Sequence, residues 1–262
     1  MEHEGGPLSR EKLRVLRSLD SMKIRRRKGL CVVEGERSLQ ESARTGNLVY
    51  LVMSEDRALD GKFTSRLLPR LDAPWYTLPG VHFRDLTELK TGTGLLGVAR
   101  IPPRGDHRVL KDLPAGSRFF YLDGIQEPGN VGALIRTAWA LGFTGVLLGE
   151  GTADTFSAKG VRASSGGVFH LPLYSGVGQG EMAELLSAGY SLFAAQKGGQ
   201  DYRMVKYPQR CVLALGSEGA GFSGWVLEAA HVVGIPLAEG VDSLNVVVAG
   251  GIIAAEMMKD RE

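Results

Sequence analysis

Short apolar runs alternate with longer amphipathic stretches through the second half of the chain. The runs are four to six residues long, end in glycine or polar residues, and lie at 119–122, 145–148, 192–195, 211–215 and 232–237. Such runs are typical of strands that are buried on both faces of a parallel sheet. Helices are predicted between them near 131–141, 181–188 and 225–230. The alternation therefore predicts an α/β fold built on a parallel sheet.

The chain then ends in a segment that is predicted to be helical from 243 to 258. Asp242 and Ser243 precede it, and their side-chain oxygens are suited to accept from the free N–H groups at a helix start. Residues 246–255 are only Val, Ala, Gly and Ile, so the helix is expected to be buried on every side. Its valines and glycines are poor helix formers, and tertiary packing must therefore stabilise it.

The first hundred residues show a similar alternation on a smaller scale. Helical stretches are predicted at 9–19, 37–45 and 63–71, and strands at 30–35, 48–53 and 95–100. Residues 101–106 read IPPRGD, and two prolines with a glycine in a charged setting indicate a linker. We therefore predict two domains, a smaller N-terminal α/β domain of residues 1–104 and a larger domain of residues 105–262.

Positive charge is concentrated near the N-terminus, although the net charge of the 262 residues is only +2. Residues 1–28 hold nine Lys or Arg and four Asp or Glu, and the run 23–28 reads KIRRRK. Two interpretations stay open. The run is either a solvated basic face or an arm that contacts nucleic-acid phosphates, since clustered Lys and Arg displace counterions from nucleic acid.

The two cysteines, Cys31 and Cys211, each lie in an apolar run. Buried thiols in a reducing compartment are the simplest interpretation, and no Cys or His spacing predicts a metal site. The N-terminus does not resemble a signal peptide, and the apolar run 246–255 is too short to cross a bilayer. We therefore expect a cytoplasmic protein without a membrane-spanning segment and without a metal.

One stretch with candidate functional residues follows the first strand of the predicted parallel sheet. A Pro-Gly turn leads to Asn130, which is either a helix N-cap or a functional amide. Arg136 follows in the second turn of the helix, among the apolar neighbours Leu134, Ile135 and Ala138. An arginine in such surroundings usually has a partner or a function.

A second candidate stretch, residues 215–222, reads LGSEGAGF at the end of a predicted strand. Open α/β sheets bind ligands at the carboxyl ends of their strands, and glycines allow the backbone to approach a ligand closely. Glu218 lies among these glycines. The alternative interpretation is a tight turn that carries an exposed acid.

Several common enzyme classes lack their sequence signatures here. There is no Walker A motif, no complete G-x-G-x-x-G loop with a following ribose-binding acid, and no G-x-S-x-G elbow. The five histidines have neither metal nor triad spacing. These absences disfavour a P-loop ATPase, an ordinary dehydrogenase and a hydrolase.

Three stretches taken in order resemble the three motifs of SpoU/TrmH-type RNA methyltransferases. Residues 130–136 read NVGALIR, residues 215–219 read LGSEG, and residues 235–245 read IPLAEGVDSLN. The resemblance covers residues 118–258. Residues 33–37, VEGER, are similar to the substrate-recognition domain of members that modify ribosomal RNA.

The resemblance implies a C-terminal knotted (trefoil) parallel-sheet methyltransferase domain and a smaller N-terminal α/β RNA-binding domain. It also implies binding of S-adenosylmethionine, a homodimer formed through the C-terminal domain, and methyl transfer to a ribose 2′-hydroxyl of large-subunit ribosomal RNA. Two alternatives stay open, a methyltransferase that acts on transfer RNA and a non-catalytic RNA-binding relative.

The resemblance further implies roles for individual residues. The catalytic residues would be Asn130, Arg136, Glu218, Ser243 and Asn245. The adenosine part of the cofactor would be held near Leu215, Gly216, Ile235, Leu237 and Leu244. RNA contacts are expected from Arg25, Arg26, Arg27, Arg37 and Arg162. Arg136 would either take a proton or, because arginine is normally protonated, stabilise the forming alkoxide by its charge.

Overall fold

A computed structural model describes residues 4–86 and 94–259, which form two compact units. The first unit consists of Met1–Pro103 with Asp154–His170, and the second of Arg104–Ala153 with Leu171–Glu262. This division differs from the linear one that we expected, because the segment 154–170 packs with the N-terminal residues. The sequence-based boundary at residue 104 places that segment in the C-terminal domain, because it follows the boundary along the chain.

The first unit contains a mixed five-stranded sheet. Its strands are β1 (Glu4–Pro7), β2 (Leu30–Glu34), β3 (Leu48–Ser54), β4 (Trp75–Leu78) and β5 (Leu95–Arg100), in the order β1-β4-β3-β5-β2. Its helices are α1 (Arg10–Ser18), α2 (Met22–Lys28), α3 (Glu36–Arg44), α4 (Glu55–Ala58), α5 (Gly61–Leu71), α6 (Gly80–Arg84) and α8 (Ala158–Ala163). The three predicted strands are confirmed, whereas β4 and α2 had not been predicted from the pattern.

The helix α2 is formed by the basic run and places one of its arginines in the interior. Arg25 is only 6% exposed, while Arg26 and Arg27 are exposed. The Arg25 Nε and Nη2 atoms donate to the Asp154 carboxylate at 2.9 and 2.6 Å, and Nη1 donates to the Leu19 carbonyl at 2.6 Å. The RNA contact expected for Arg25 stays a prediction, and its charge already has the Asp154 carboxylate as partner. The 3.6-residue helical period turns one of three consecutive arginines inward.

An ion pair and a histidine–carboxylate hydrogen bond also hold the segment 154–170 within the first unit. Arg162 on α8 pairs with Glu34, whose side chain is only 1% exposed. His170 Nε2 lies 3.0 Å from Oε2 of Glu41, which is also buried. The RNA contact expected for Arg162 stays a prediction, and its charge already has a buried carboxylate as partner. Arg37 is exposed, with its Nε 3.5 Å from Glu41.

The second unit contains a six-stranded parallel sheet in the order β11-β9-β10-β6-β7-β8. Its strands are β6 (Arg118–Asp123), β7 (Gly145–Leu148), β8 (Leu173–Ser175), β9 (Ser191–Asp201), β10 (Cys211–Gly216) and β11 (His231–Gly234). Its helices are α7 (Pro128–Leu141), α9 (Gln179–Ser187), α10 (Gly224–Ala229) and α11 (Val246–Met257). The predicted α/β class with a parallel sheet is confirmed. The carboxyl ends of β6 and β10 adjoin, since Asp123 pairs with Gly216, whereas β9 continues past its pairing with β10 and pairs with β11.

The last helix, α11, begins later than predicted and is capped by a different residue. The Asn245 Oδ1 accepts from the Val247 N–H at 2.9 Å, so Asn245 and not Asp242 or Ser243 is the N-cap. At the other end, the buried Arg118 guanidinium donates to the Met257 carbonyl. A cation at a helix C-terminus is favourable because it faces the negative end of the helix dipole.

One face of α11 is buried and the opposite face is open. A Cβ built on Gly250 would lie 2.9 Å from Leu215 and 3.0 Å from Leu134, so glycine permits the close contact with β10 and α7. By contrast, Val248 is 50% exposed, and Ala255 is exposed two turns later. The expectation that this chain buries the helix on every side is therefore wrong, and an apolar face is left uncovered.

Both cysteines are free and buried, as expected. Burial raises the pKa of the Cys211 thiol to about 12 and shifts that of Cys31 in the same direction. Thiols in such an environment stay protonated and are poor nucleophiles. Among the residues that the structure describes, no helix has the length and apolar character needed to cross a bilayer.

Candidate functional site

A tight loop follows the carboxyl end of β10 at the centre of the parallel sheet. Ser217 and Gly221 exchange two backbone hydrogen bonds, at 3.0 and 2.9 Å, which close the loop. A Cβ on Gly216 would lie 2.9 Å from the Gly221 carbonyl oxygen. Glycine at position 216 is therefore required by the fold of the loop itself.

The buried carboxylate of Asp123, at the end of the neighbouring strand β6, anchors the far end of this loop. Its Oδ2 accepts from the Ser223 N–H at 2.7 Å, and its Oδ1 accepts from the Ser223 hydroxyl at 3.0 Å. The Tyr121 hydroxyl also donates to Oδ1, at 3.4 Å. Burial, and next the Asp123 charge, raise the pKa of Tyr121, which keeps the phenol protonated as a donor.

The loop presents Glu218 to residues from two other sequence motifs. Its Oε1 accepts from the Asn245 Nδ2 at 2.8 Å, the Asn130 Nδ2 at 3.3 Å and the Val246 N–H at 3.4 Å. The predicted catalytic residues Asn130, Asn245 and Glu218 therefore meet at the Oε1 atom of Glu218. Asn130 and Asn245 lie 115 positions apart in the sequence. The carboxylate also places negative charge at the N-terminus of α11, where the helix dipole favours it.

A cavity of about 450 Å³ opens beside this loop. Its size falls within the range of about 300–1,000 Å³ that is usual for small-molecule sites. All five residues expected near the adenosine line it, namely Leu215, Gly216, Ile235, Leu237 and Leu244. Glu218 and Ser243 line it as well. The structure thus brings together in one cavity residues from the second and third motifs.

The walls of the cavity differ in character from its opening. The side chains of Leu215, Val233 and Ile253 contribute apolar surface that is almost fully buried. Polar groups, among them Gln196 and Ser243, are exposed. Such a cavity suits a ligand with a flat apolar ring at one end and charged groups at the other.

Asn130 and Arg136, the two predicted catalytic residues on α7, do not line the cavity. Asn130 is not the N-cap of α7, because Glu127 caps that helix through a 2.9 Å bond to the Gly129 N–H. Arg136 is exposed, although its neighbours Leu134 and Ile135 are buried. Arg136 lines no part of the cavity, and among the described residues no hydrogen bond or ion pair engages it. Its guanidinium is therefore open to a ligand from outside the chain.

Gln196 and Lys197 were not predicted from the sequence, and they line the cavity from the middle of β9, just after the part of that strand that pairs with β10. The rule that ligands bind at the carboxyl ends of parallel strands points to the loop after 211–215, and it holds equally for the predicted strand at 192–195. The same rule, applied there, would have found both residues. Among the described residues, no group of three or more His, Cys, Asp or Glu is arranged to hold a metal ion.

Comparisons with known proteins agree with this geometry. The model of the SpoU rRNA Methylase family matches residues 117–255, more than half of the chain. A 23S rRNA (guanosine(2553)-2′-O)-methyltransferase of Bacillus subtilis is 29% identical over 93% of this chain and 94% of its own length.

Two solved structures are similar over nearly the whole chain. The SpoU methyltransferase AviRb from Streptomyces viridochromogenes, in complex with AdoMet, superposes with a TM-score of 0.83 at 25% identity, covering 96% of this chain and 98% of that one. An AdoMet-bound rRNA methyltransferase from Sinorhizobium meliloti gives a TM-score of 0.78 at 25% identity, covering 97% and 96%. The resemblance seen in the three motifs is confirmed, and the chain belongs to the SpoU rRNA Methylase family.

Proposed function

We propose that the protein transfers a methyl group from S-adenosylmethionine to a ribose 2′-hydroxyl of large-subunit ribosomal RNA. The observation that carries this proposal is the cavity between the middle of β9 and the ends of β10 and β11, with the Glu218–Asn130–Asn245 cluster beside it. Family membership gives the reaction class, and the B. subtilis relative is named for this same reaction on 23S rRNA.

The cavity residues fit S-adenosylmethionine in size and chemistry. The apolar wall formed by Leu215, Val233 and Ile253 suits the adenine ring. The glycine at position 216 lets a ligand approach the backbone, since no side chain projects there. When bound, the cofactor supplies an electrophilic methyl group attached to a positively charged sulfur.

The protein must then activate a weak nucleophile. The 2′-hydroxyl oxygen would take the methyl group, S-adenosylhomocysteine would leave with the C–S bonding pair on its sulfur, and the hydroxyl proton would pass to solvent water. We propose that the Arg136 guanidinium stabilises the charge that develops on this oxygen or binds the adjacent phosphate. Glu218 holds Asn130 and Asn245 in position through its Oε1 atom, and we propose that Asn130 orients the ribose. Ser243, at the cavity opening, would position the reacting groups.

The substrate is tested by mapping ribose methylation in RNA from cells with and without this protein. One 2′-O-methylated nucleotide of large-subunit ribosomal RNA is expected to disappear, and purified protein with S-adenosylmethionine should restore it. Loss of a transfer-RNA methylation instead would identify the first alternative. A protein that binds RNA but neither binds nor consumes the cofactor would be the non-catalytic relative. The names of the similar proteins favour neither alternative.

We also propose that the protein is a homodimer formed through its second unit, and that residues 235–245 belong to the trefoil knot implied by the resemblance. Val248 and Ala255 on α11 form an exposed apolar face, and Gly251 lies half-buried between them. Small residues allow another helix to approach closely. An apolar face of this kind on a soluble protein is typical of a contact surface.

The dimer predicts a specific effect of a charge on that face. Val248→Glu should weaken self-association at least about tenfold, because the interface would have to bury an unpaired carboxylate. Val81→Glu is the matched control, since Val81 is 60% exposed in the first unit. Sedimentation should show a dimer at micromolar concentration for the wild type and for the control. A wild-type monomer at that concentration contradicts the proposal.

We propose that the first unit binds RNA through Arg26 and Arg27, with Arg37 as a further contact. All three side chains are exposed. Arg26→Gln with Arg27→Gln should weaken RNA binding. It should also reduce the slope of log K for RNA binding against log salt concentration by about one unit for each phosphate that is no longer neutralised. Lys62→Gln with Arg70→Gln removes the same charge from exposed positions on α5 and should leave the slope near the wild-type value. An unchanged slope for the first variant identifies the basic run as a solvated surface.

A further inference from the structure

We propose that Lys197 binds the carboxylate of the amino-acid end of S-adenosylmethionine, an inference that rests on the methyl-transfer function proposed above. Of the described residues that line the cavity, Lys197 carries the only positive charge and Glu218 the only negative charge. The cofactor has one carboxylate, which needs donors or a cation when it leaves water. Its other two charged groups, the ammonium and the sulfonium, are positive.

Glu218 is already fixed by three donors, whereas Lys197 is free to change partners. The Lys197 Nζ lies 3.2 Å from the Val241 carbonyl and 3.4 Å from the Asp242 carboxylate. The two side chains are 58% and 101% exposed, and a surface pair of this kind contributes little stability. An ammonium has three donors, so a carboxylate in the cavity can replace Asp242 at small cost.

The backbone that follows Lys197 is closely packed, whereas the Lys197 side chain is more than half exposed. Gly198 has a φ of +81°, a conformation that favours glycine. A Cβ on Gly199 would lie 2.7 Å from the Val233 backbone, so β9 and β11 are in close contact directly after the lysine. The packed backbone therefore fixes the position of the Lys197 Cα atom at the cavity opening. If the adenine contacts the apolar wall, the charged end of the cofactor must lie at this same opening.

The test compares two ligands that differ only in this carboxylate, S-adenosylmethionine and decarboxylated S-adenosylmethionine, by calorimetry on the full chain without RNA. The wild-type protein should prefer the carboxylated ligand by about tenfold, as expected for a partly exposed charge-assisted hydrogen bond. Lys197→Gln should lose this preference and bind the decarboxylated ligand as the wild type does. Lys197→Arg should keep it, because the positive charge is retained.

Two control variants distinguish binding of the cofactor carboxylate by Lys197 from a role of Lys197 in holding the 241–242 turn. Lys206→Gln removes an exposed lysine that does not line the cavity and should leave both affinities unchanged. Asp242→Asn removes the present partner of Lys197 and should leave binding of the carboxylated ligand equal or tighter. If Lys197 acts only by holding the 241–242 turn, then Lys197→Gln and Asp242→Asn will weaken both ligands equally, and the proposal is overturned.

The outcomes also distinguish this inference from the function on which it rests. If the wild type binds S-adenosylmethionine and Lys197→Gln keeps the wild-type preference, only the role of Lys197 is wrong. If the variant instead loses RNA affinity at unchanged cofactor affinity, the ammonium faces RNA and the proposal is equally overturned. If the wild type binds neither ligand, the proposed methyl transfer itself fails.

Discussion

Replacement of Arg136 with alanine is expected to slow methyl transfer about a hundredfold or more, the usual effect of removing one electrostatic contact to a developing charge. The exposed position of Arg136 makes this a clean test. Alanine is the best helix former, and an exposed substitution on α7 should change the free energy of unfolding by no more than about 0.5 kcal/mol. Loss of activity therefore cannot be ascribed to loss of the fold.

The kinetic pattern should identify what Arg136 does. If it stabilises only the developing charge, kcat should fall while the affinity for S-adenosylmethionine stays unchanged. Arg136→Lys should be intermediate, because lysine keeps the charge but not the planar fork that binds phosphate or two oxygens together. Lys206→Ala, at an exposed lysine of the same unit that does not line the cavity, should retain wild-type rates. A folded Arg136→Ala protein with wild-type turnover would remove Arg136 from the site.

Replacement of Arg25 with glutamine is expected to destabilise the protein by about 3 kcal/mol or more, because it leaves the Asp154 carboxylate buried without a counter-charge. The side chains of the pair are only 8% and 11% exposed. The change also removes the bonds that Arg25 donates to the carbonyls of Leu19 and Asp20, at 2.6 and 2.7 Å. Chemical unfolding followed by circular dichroism measures the destabilisation.

The neighbouring arginine supplies the matched control for this prediction. Arg26→Gln changes the same residue type one position away on the exposed face of α2, and its effect should stay within about 0.5 kcal/mol. Arg25→Gln and Asp154→Asn should not be additive, since each removes the same interaction. Equal stabilities of the Arg25 and Arg26 variants would show that the buried pair contributes nothing.

Substitutions at Arg25 and at Arg26 with Arg27 also separate two roles within the basic run. Arg25→Gln should lower stability, while the Arg26 and Arg27 substitutions should lower RNA affinity. One short segment thus provides both a buried structural contact and an exposed charged surface. A helix produces this division because consecutive residues point in directions about 100° apart.

The order of residues along the chain was enough to predict the fold class and most of the cavity. The apolar runs at 119–122 and 211–215 correspond to β6 and β10, because short apolar runs bounded by glycine and polar residues are typical of strands that are buried on both faces. The three motifs led to the family, and the carboxyl-end rule identified the loop around Glu218. These conclusions depend on local pattern and residue type, which a sequence records directly.

Tertiary structure alone decided which distant side chains meet. Nothing local in the sequence indicates that Arg25 pairs with Asp154, or that one oxygen of Glu218 accepts from both Asn130 and Asn245. The sequence also does not predict the exposed face of α11 at Val248. Every face of this helix is apolar, so the residue pattern does not indicate which face packs against a neighbouring element. Contacts of this kind depend on how separate elements pack in three dimensions, and local residue patterns specify each element but not its partners.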